Sequence, residues 1–110
     1  MSERMKNIPV AEVVTLKDRV DYLDGQVVSR TLSQNEAVSV TLFAFDRGEE
    51  IGAHKSKGDA FVTCLDGVGE IAIDGTKHEL VEGQSIVMPA GIPHAVRGKE
   101  RFKMLLVVVF

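Results

Sequence analysis

Nowhere in this chain does an apolar stripe of helical period hold for more than two turns, while turn signals return at intervals of roughly eight to twelve residues. That excludes a helical bundle and leaves short strands. Alternating or continuous apolar runs rich in Val, Ile, Thr and Phe fall at Gln26–Leu32, Val38–Phe45, Phe61–Leu65, Glu70–Ile73, Thr76–Val81, Ser85–Met88, His94–Val96 and Arg101–Phe110. The spacing predicts about eight to ten strands in an all-β sandwich or barrel. Asp74-Gly75 between two such runs is a two-residue hairpin loop, because a type I′ turn needs positive φ twice. Asp66-Gly67 reads as a second tight turn, and Ser33–Ala37 as a third with Asn35 left-handed. Ile8–Leu16 reads as either a short strand or a single helical turn.

A chain of 110 residues makes one domain. The expectation is a polar tail over residues 1–7 and one core-bearing domain over 8–110. A net charge of −3 with interspersed signs and no basic stripe argues against nucleic-acid binding. The start MSERMKNIPV has no continuous apolar stretch, so no secretory signal is expected. The apolar C-terminal run Met104–Phe110 is too short to span a bilayer, so no membrane partner is expected either. Cys64 is the single cysteine, which makes a reducing, cytoplasmic setting the default.

Two stretches carry chemistry. Gly48–Gly67 holds His54, and Gly83–Gly98 holds His94, each in a β context beside Gly or Pro. The first reads Gly48, five residues, His54, then Ser56, Ala60 and Gly67; the second reads Gly83, five residues, Pro89, then Gly91 and His94. These spacings resemble the two signature motifs of the cupin superfamily, in the small single-domain form with an RmlC-like jelly roll. The resemblance covers roughly residues 40 to 105.

The resemblance implies a double-sheet barrel with an internal pocket where histidines converge on a divalent metal: Zn, Fe, Mn, Ni or Cu. Imidazole serves all five. The family's full set is three His and one Glu. Here Ser56 occupies the second His position, Ala60 the Glu position and Gly98 a closing Asn, so His54 and His94 are the metal candidates that remain. Their rings are expected to lie close enough to share one ion or one water. Asp59 stands one residue before the Glu position; strand alternation turns it to the opposite face, and it serves as a third ligand only where Gly58 leaves the chain irregular. Cys64 shares the parity of Ala60 and Val62, so it faces inward, either as a small buried hydrophobe or as a thiolate ligand. His78 reads as a partly buried sheet residue, Asp66 as a solvated turn charge, and Pro89 and Pro93 as a corner that aims His94. Phe43, Phe45 and Met88 are core residues that also stand near the pocket.

The function expected is a small-molecule-binding domain with a partly depleted metal site. The alternative is a metal-dependent enzyme: an oxygenase, isomerase or lyase acting on a small organic acid, phenol or sugar derivative. Met104–Val109 is apolar at every position, so both faces of that strand need cover. Read as an edge, it predicts a homodimer through the C-terminal strand or the N-terminal segment.

Overall fold

A computed structural model of the chain describes residues 4–110. Seven strands follow in order: β1 Val27–Gln34, β2 Val38–Phe45, β3 Glu50–His54, β4 Asp59–Ile73, β5 Thr76–Val81, β6 Ser85–Met88 and β7 His94–Val109. A short 3-10 turn, Leu16–Arg19, precedes them. No helix among the described residues is long and apolar enough to cross a membrane.

Two long strands organise everything else. The C-terminal part of β7 pairs with β2, placing Leu42 opposite Leu105, and with the first part of β4, placing Val62 opposite Leu106. Its N-terminal part pairs with β3 and with the second part of β4, where Ile73 meets His94. The result is two facing sheets, β1-β2-β7-β4-β6 and β3-β7-β4-β5, with β4 and β7 passing through both. That is the all-β barrel the strand spacing predicted, in the jelly-roll form the motif resemblance implied. Phe61–Leu65 and Glu70–Ile73 fall in one strand, as do His94–Val96 and most of Arg101–Phe110, so seven strands among the described residues stand where eight to ten were expected.

The passage from sheet to sheet needs bends, and β4 supplies them as register shifts at Cys64/Asp66 and Gly67/Gly69. Gly67 has φ +74, and a Cβ there would collide with the carbonyl oxygen of Arg101. Asp66-Gly67 is therefore a bulge inside one continuous strand, not the chain reversal expected from its sequence. Asp74-Gly75 does reverse the chain, with φ of 49 and 83, and Thr76 pairs back onto Ile73. Asn35 keeps a negative φ, contrary to expectation. Its side-chain oxygen instead accepts the N–H groups of Ala37 at 2.8 Å and Val38 at 3.0 Å, so an Asx turn does the work of a left-handed residue.

The core between the sheets is built on Phe45, Phe102, Ile71, Val62 and Met104, all essentially inaccessible. The rings of Phe45 and Phe102 lie 5.6 Å apart, and burying each contributes about 1.5–3 kcal/mol. A second cluster lies outside the first sheet, where Val20, Leu32, Leu42 and Ala44 are buried with Ile8, Leu16, Tyr22 and Leu105 packed on them.

That second cluster changes the reading of both termini. Ile8–Thr15 is neither strand nor helix, because Ala11 is left-handed at φ 60 and breaks any extended run, and Leu16 opens the 3-10 turn. It serves as an irregular cover over Leu42 and Leu105. Residues 4–7, expected as tail, run along β1: Lys6 N–H donates to Leu32 O, and Ser33 Oγ to Arg4 O. Residues 1–3 of that tail lie outside the described residues. The C-terminal strand is central rather than an edge, and its outward Leu105 is covered by its own chain. Tyr22 clasps this cover by donating to Asp66 Oδ2 at 2.7 Å, so Asp66 is a latch acceptor rather than a free turn charge.

Candidate functional site

β3 ends at His54 and β7 begins at His94, and the register pairs the two residues directly. Their ring centroids lie 4.4 Å apart with planes at 69°. The local cause is the corner at 89–93. Pro89 ends β6 and Pro93 precedes β7, with Gly91 left-handed at φ 74 between them. Three hydrogen bonds strap the corner in place: Gly91 N–H to Ser56 O at 2.9 Å, Ala90 N–H to Asp59 Oδ1 at 2.8 Å, and Asp74 N–H to Pro93 O at 2.8 Å.

Each imidazole is tied by the same device. His54 Nδ1 lies 3.0 Å from Gly52 O, and His94 Nδ1 lies 3.1 Å from Ile92 O. A carbonyl only accepts, so each Nδ1 carries the proton and each Nε2 keeps its lone pair. His94 is 2% exposed whereas His54 is open to solvent. Burial holds the pKa of His94 below its ordinary value, and the neighbouring His54 lowers it further, against a smaller opposing effect of the Ile92 carbonyl. With each Nδ1 turned to a carbonyl, the two Nε2 atoms are the ones left to accept a hydrogen bond or donate to an ion.

Both rings line a cavity of about 200 Å³. Its walls are Phe43, Ile51, Ala60, Met88, Val96, Met104, Leu106 and Val108, and its remaining polar side chains are Lys55 and Ser56. Met88, Met104 and Ala60 are buried and form the closed end; Lys55 and His54 are exposed and mark the mouth. Ser56 and Ala60 therefore stand where the motif register puts ligands. Ser56 Oγ accepts the N–H of Gly58 at 3.2 Å.

The other candidates are elsewhere. Asp59 turns outward, as strand parity requires, and its carboxylate is used on Ala90 N–H. Cys64 faces inward but points its thiol at the bulge, toward the carbonyls of Asp66 and Gly67. Burial pushes that thiol up to about 11, so it is neither a thiolate nor a lining group of the cavity. His78 is half-buried on β5 opposite Ile71, away from the pair. Phe43 and Met88 line the cavity, whereas Phe45 belongs to the core proper. Lys55 is the residue that sequence reasoning passed over; its signal was a lysine directly after the motif histidine with no acidic residue at the motif's ligand positions. A second depression of about 270 Å³ lies outside the other sheet, bordered by Glu50, Glu70, Lys77 and Arg97. Its charges answer each other, with Glu70 3.8 Å from Lys77 and 3.9 Å from Arg97.

Two imidazoles fall short of the three protein ligands that catalytic zinc-type sites keep. Among the described residues, no three or more of His, Cys, Asp and Glu stand together where they could hold an ion. By that measure the two imidazoles alone would leave most of a divalent ion's coordination to water or a bound molecule.

The chain has clear relatives. A conserved protein of unknown function from Streptococcus pyogenes has a crystal structure that superimposes with a TM-score of 0.95 at 49% identity, over 98% of this chain and 95% of that one. A cupin superfamily protein from Desulfitobacterium hafniense superimposes with a TM-score of 0.92 at 33% identity, over 98% and 99%. An uncharacterized protein of Aquifex aeolicus is 26% identical over 99 residues, which is 88% of this chain and 82% of that protein. The pattern of the cupin domain family matches residues 41–110, the span that contains β4, β7 and both histidines. With the two-sheet barrel, the paired motif histidines and this match in agreement, the chain belongs to the cupin domain family.

Proposed function

We propose that this domain binds a small organic molecule in the cavity between its sheets, with His54 and His94 as polar anchors. The observation that carries this reading is the pairing of two imidazoles, ring centroids 4.4 Å apart and each with its Nδ1 tied to a carbonyl, at the wall of a largely apolar cavity. The apolar walls exclude water and take the body of the ligand. The imidazoles fix its orientation through hydrogen bonds from ligand O–H or N–H groups, and their carbonyl ties keep the rings from turning away. The test is a thermal-shift screen of ring-sized compounds against wild type and His54→Ala. His54 is exposed, so its removal leaves the core intact. Hits that lose their shift in the variant support the reading; hits indifferent to it refute it.

A second reading keeps a metal, loosely held. Tying Nδ1 to a carbonyl is the arrangement that orients metal-bound histidines, and it supports a metal-dependent enzyme whose ion takes its other ligands from substrate or water. Elemental analysis of tag-free protein separates the two: a stoichiometric transition metal favours the enzyme, a trace the binding domain.

The domain is also proposed to pair with a second copy. Val87, Phe61 and Val107 form one cross-strand row on the outside of the first sheet, beyond the reach of the N-terminal cover. Phe61 is 42%, Val87 50% and Val109 57% exposed. Sedimentation equilibrium at micromolar concentration yields a dimer if that row is an interface, and a monomer if it is not. A lone buried thiol supports a cytoplasmic, reducing location.

A further inference from the structure

The cavity's polar groups are arranged in two sets of opposite demand. At the mouth stand Lys55, an ammonium that is a donor only, and Ser56, whose Oγ accepts Gly58 N–H and so keeps its own proton to give. Against them stand two Nε2 lone pairs that only accept, one on exposed His54 beside Lys55 and one on buried His94. Among the described residues, no carboxylate lines the cavity. Lys55 is in no ion pair among the described residues, and it is the one cation that lines the cavity. Lys57, two residues on, is in no ion pair among the described residues either, so the loop at the entrance brings two ammonium groups beside an apolar hole.

A ligand that satisfies this cavity must offer negative charge at the mouth, an O–H donor at the wall and an apolar body inside. A cation finds no partner here. A sugar needs far more polar contacts than four side chains supply. A plain alcohol leaves Lys55 unanswered, and a plain carboxylate leaves the two imidazole lone pairs facing nothing that donates. We infer that the ligand is a small hydroxycarboxylic acid with an apolar, ring-sized or branched body, its carboxylate on Lys55 and Ser56, its hydroxyl on the His54–His94 pair and its apolar end against Phe43 and Met88. The inference rests on the pocket reading proposed above and names its ligand class. The size agrees: 200 Å³ corresponds to about seven waters at roughly 30 Å³ each, the space of one substituted ring.

The experiment is a titration calorimetry panel on the intact chain: mandelate and 2-hydroxyisocaproate as hydroxy acids, phenylacetate without the hydroxyl, 1-phenyl-1,2-ethanediol without the carboxylate, and glucose. The hydroxy acids bind best, and affinity falls as salt is raised. Lys55→Gln lowers hydroxy-acid and phenylacetate affinity about fivefold, the scale of one solvent-exposed charge pair, and leaves the diol unchanged. His54→Ala lowers hydroxy-acid and diol affinity but spares phenylacetate. If the diol binds as tightly as mandelate, or Lys55→Gln shifts every compound alike, the ligand class is wrong while the pocket stands. If no compound binds, acid or neutral, the pocket reading falls with it.

Discussion

Completing the ligand set tests where Ser56 and Ala60 really point. Both line the cavity with the two histidines, and Ala60 is 1% exposed, opposite Met88 on β6 and Val108 on β7. Ser56→His with Ala60→Glu puts an imidazole and a carboxylate into the same 200 Å³. Without metal the change is harmful. The new Glu is a buried carboxylate with no partner, at a cost of about 3 kcal/mol, and loss of the Ser56–Gly58 bond adds about 1 kcal/mol. At about 4–8 °C per kcal/mol for a domain of this order, the metal-free variant melts some 15 °C or more below wild type. With metal the sign reverses. Four converging ligands bind zinc tightly, and at a thousandfold excess over Kd the linkage contributes about 4 kcal/mol, which offsets the loss. The assay is a thermal melt of both proteins in EDTA and in zinc. Wild type moves little between the two conditions; the variant recovers most of its deficit in zinc. A variant whose melting temperature ignores zinc would show that these side chains do not converge on His54 and His94, and the register drawn for β4 against β6 and β7 would be wrong.

Three further outcomes are expected. Tyr22→Phe removes the hydroxyl that donates to Asp66 but keeps the ring under Arg101 and Lys103, and costs about 1–2 kcal/mol in urea unfolding through the half-buried carboxylate left behind; an unchanged midpoint would mean that the N-terminal cover does not depend on this clasp. Cys64, buried and with its thiol pushed up to about 11, reacts with a disulfide reagent at pH 8 only after denaturant is added, and a full native-state reaction would contradict its placement at the bulge. His94 has a folded pKa below its unfolded value of 6.5, so the unfolded chain takes the proton first; stability is fully present above about pH 6.5 and is lost as pH falls through the folded value, and His94→Gln removes that component from a denaturation series between pH 7.5 and 5.

Much of the barrel was legible because its signals are local. Alternation fixes which residues face inward, and the structure keeps that parity for Ala60, Val62 and Cys64 on one side and Asp59 on the other. The Asp74-Gly75 loop is dictated by two positive φ angles in adjacent residues. The corner of Pro89, Gly91 and Pro93 is likewise a local stereochemical instruction, and it places His94 at the first residue of β7. The two histidines, and the expectation that their rings lie close, came from the resemblance of both spacings to the family's motifs; nothing local in the sequence gives the separation itself. It depends on β3 pairing with β7 across forty residues of sequence, which no local pattern encodes.

What the sequence hid has one physical origin: a glycine or a polar pair inside a strand looks the same as one that ends it. Asp66-Gly67 was read as a turn because both residues favour one. In the barrel, β4 must stay paired to β7 while crossing between sheets, and a bulge with Gly67 against the Arg101 carbonyl is how it stays paired. Once β4 is a single strand, β7 is held between it and β2 and ceases to be an edge. The apolar run Met104–Val109 then needs its inner side chains for the core and its outer ones for a cover, and the chain spends Ile8, Leu16, Val20 and Tyr22 on that cover over Leu42 and Leu105. The cover stops one row short. Val107 and its neighbours Phe61 and Val87 lie on the same face, one strand repeat further along. The sequence reading asked for cover on both faces of this strand and also took it for an edge; the edge is what falls, and the outer face left uncovered is a row of side chains on a fully paired strand. The distinction has a consequence for assembly. An edge would recruit a partner by backbone pairing and extend the sheet, whereas a paired strand with an apolar outer row can only be packed against, face to face.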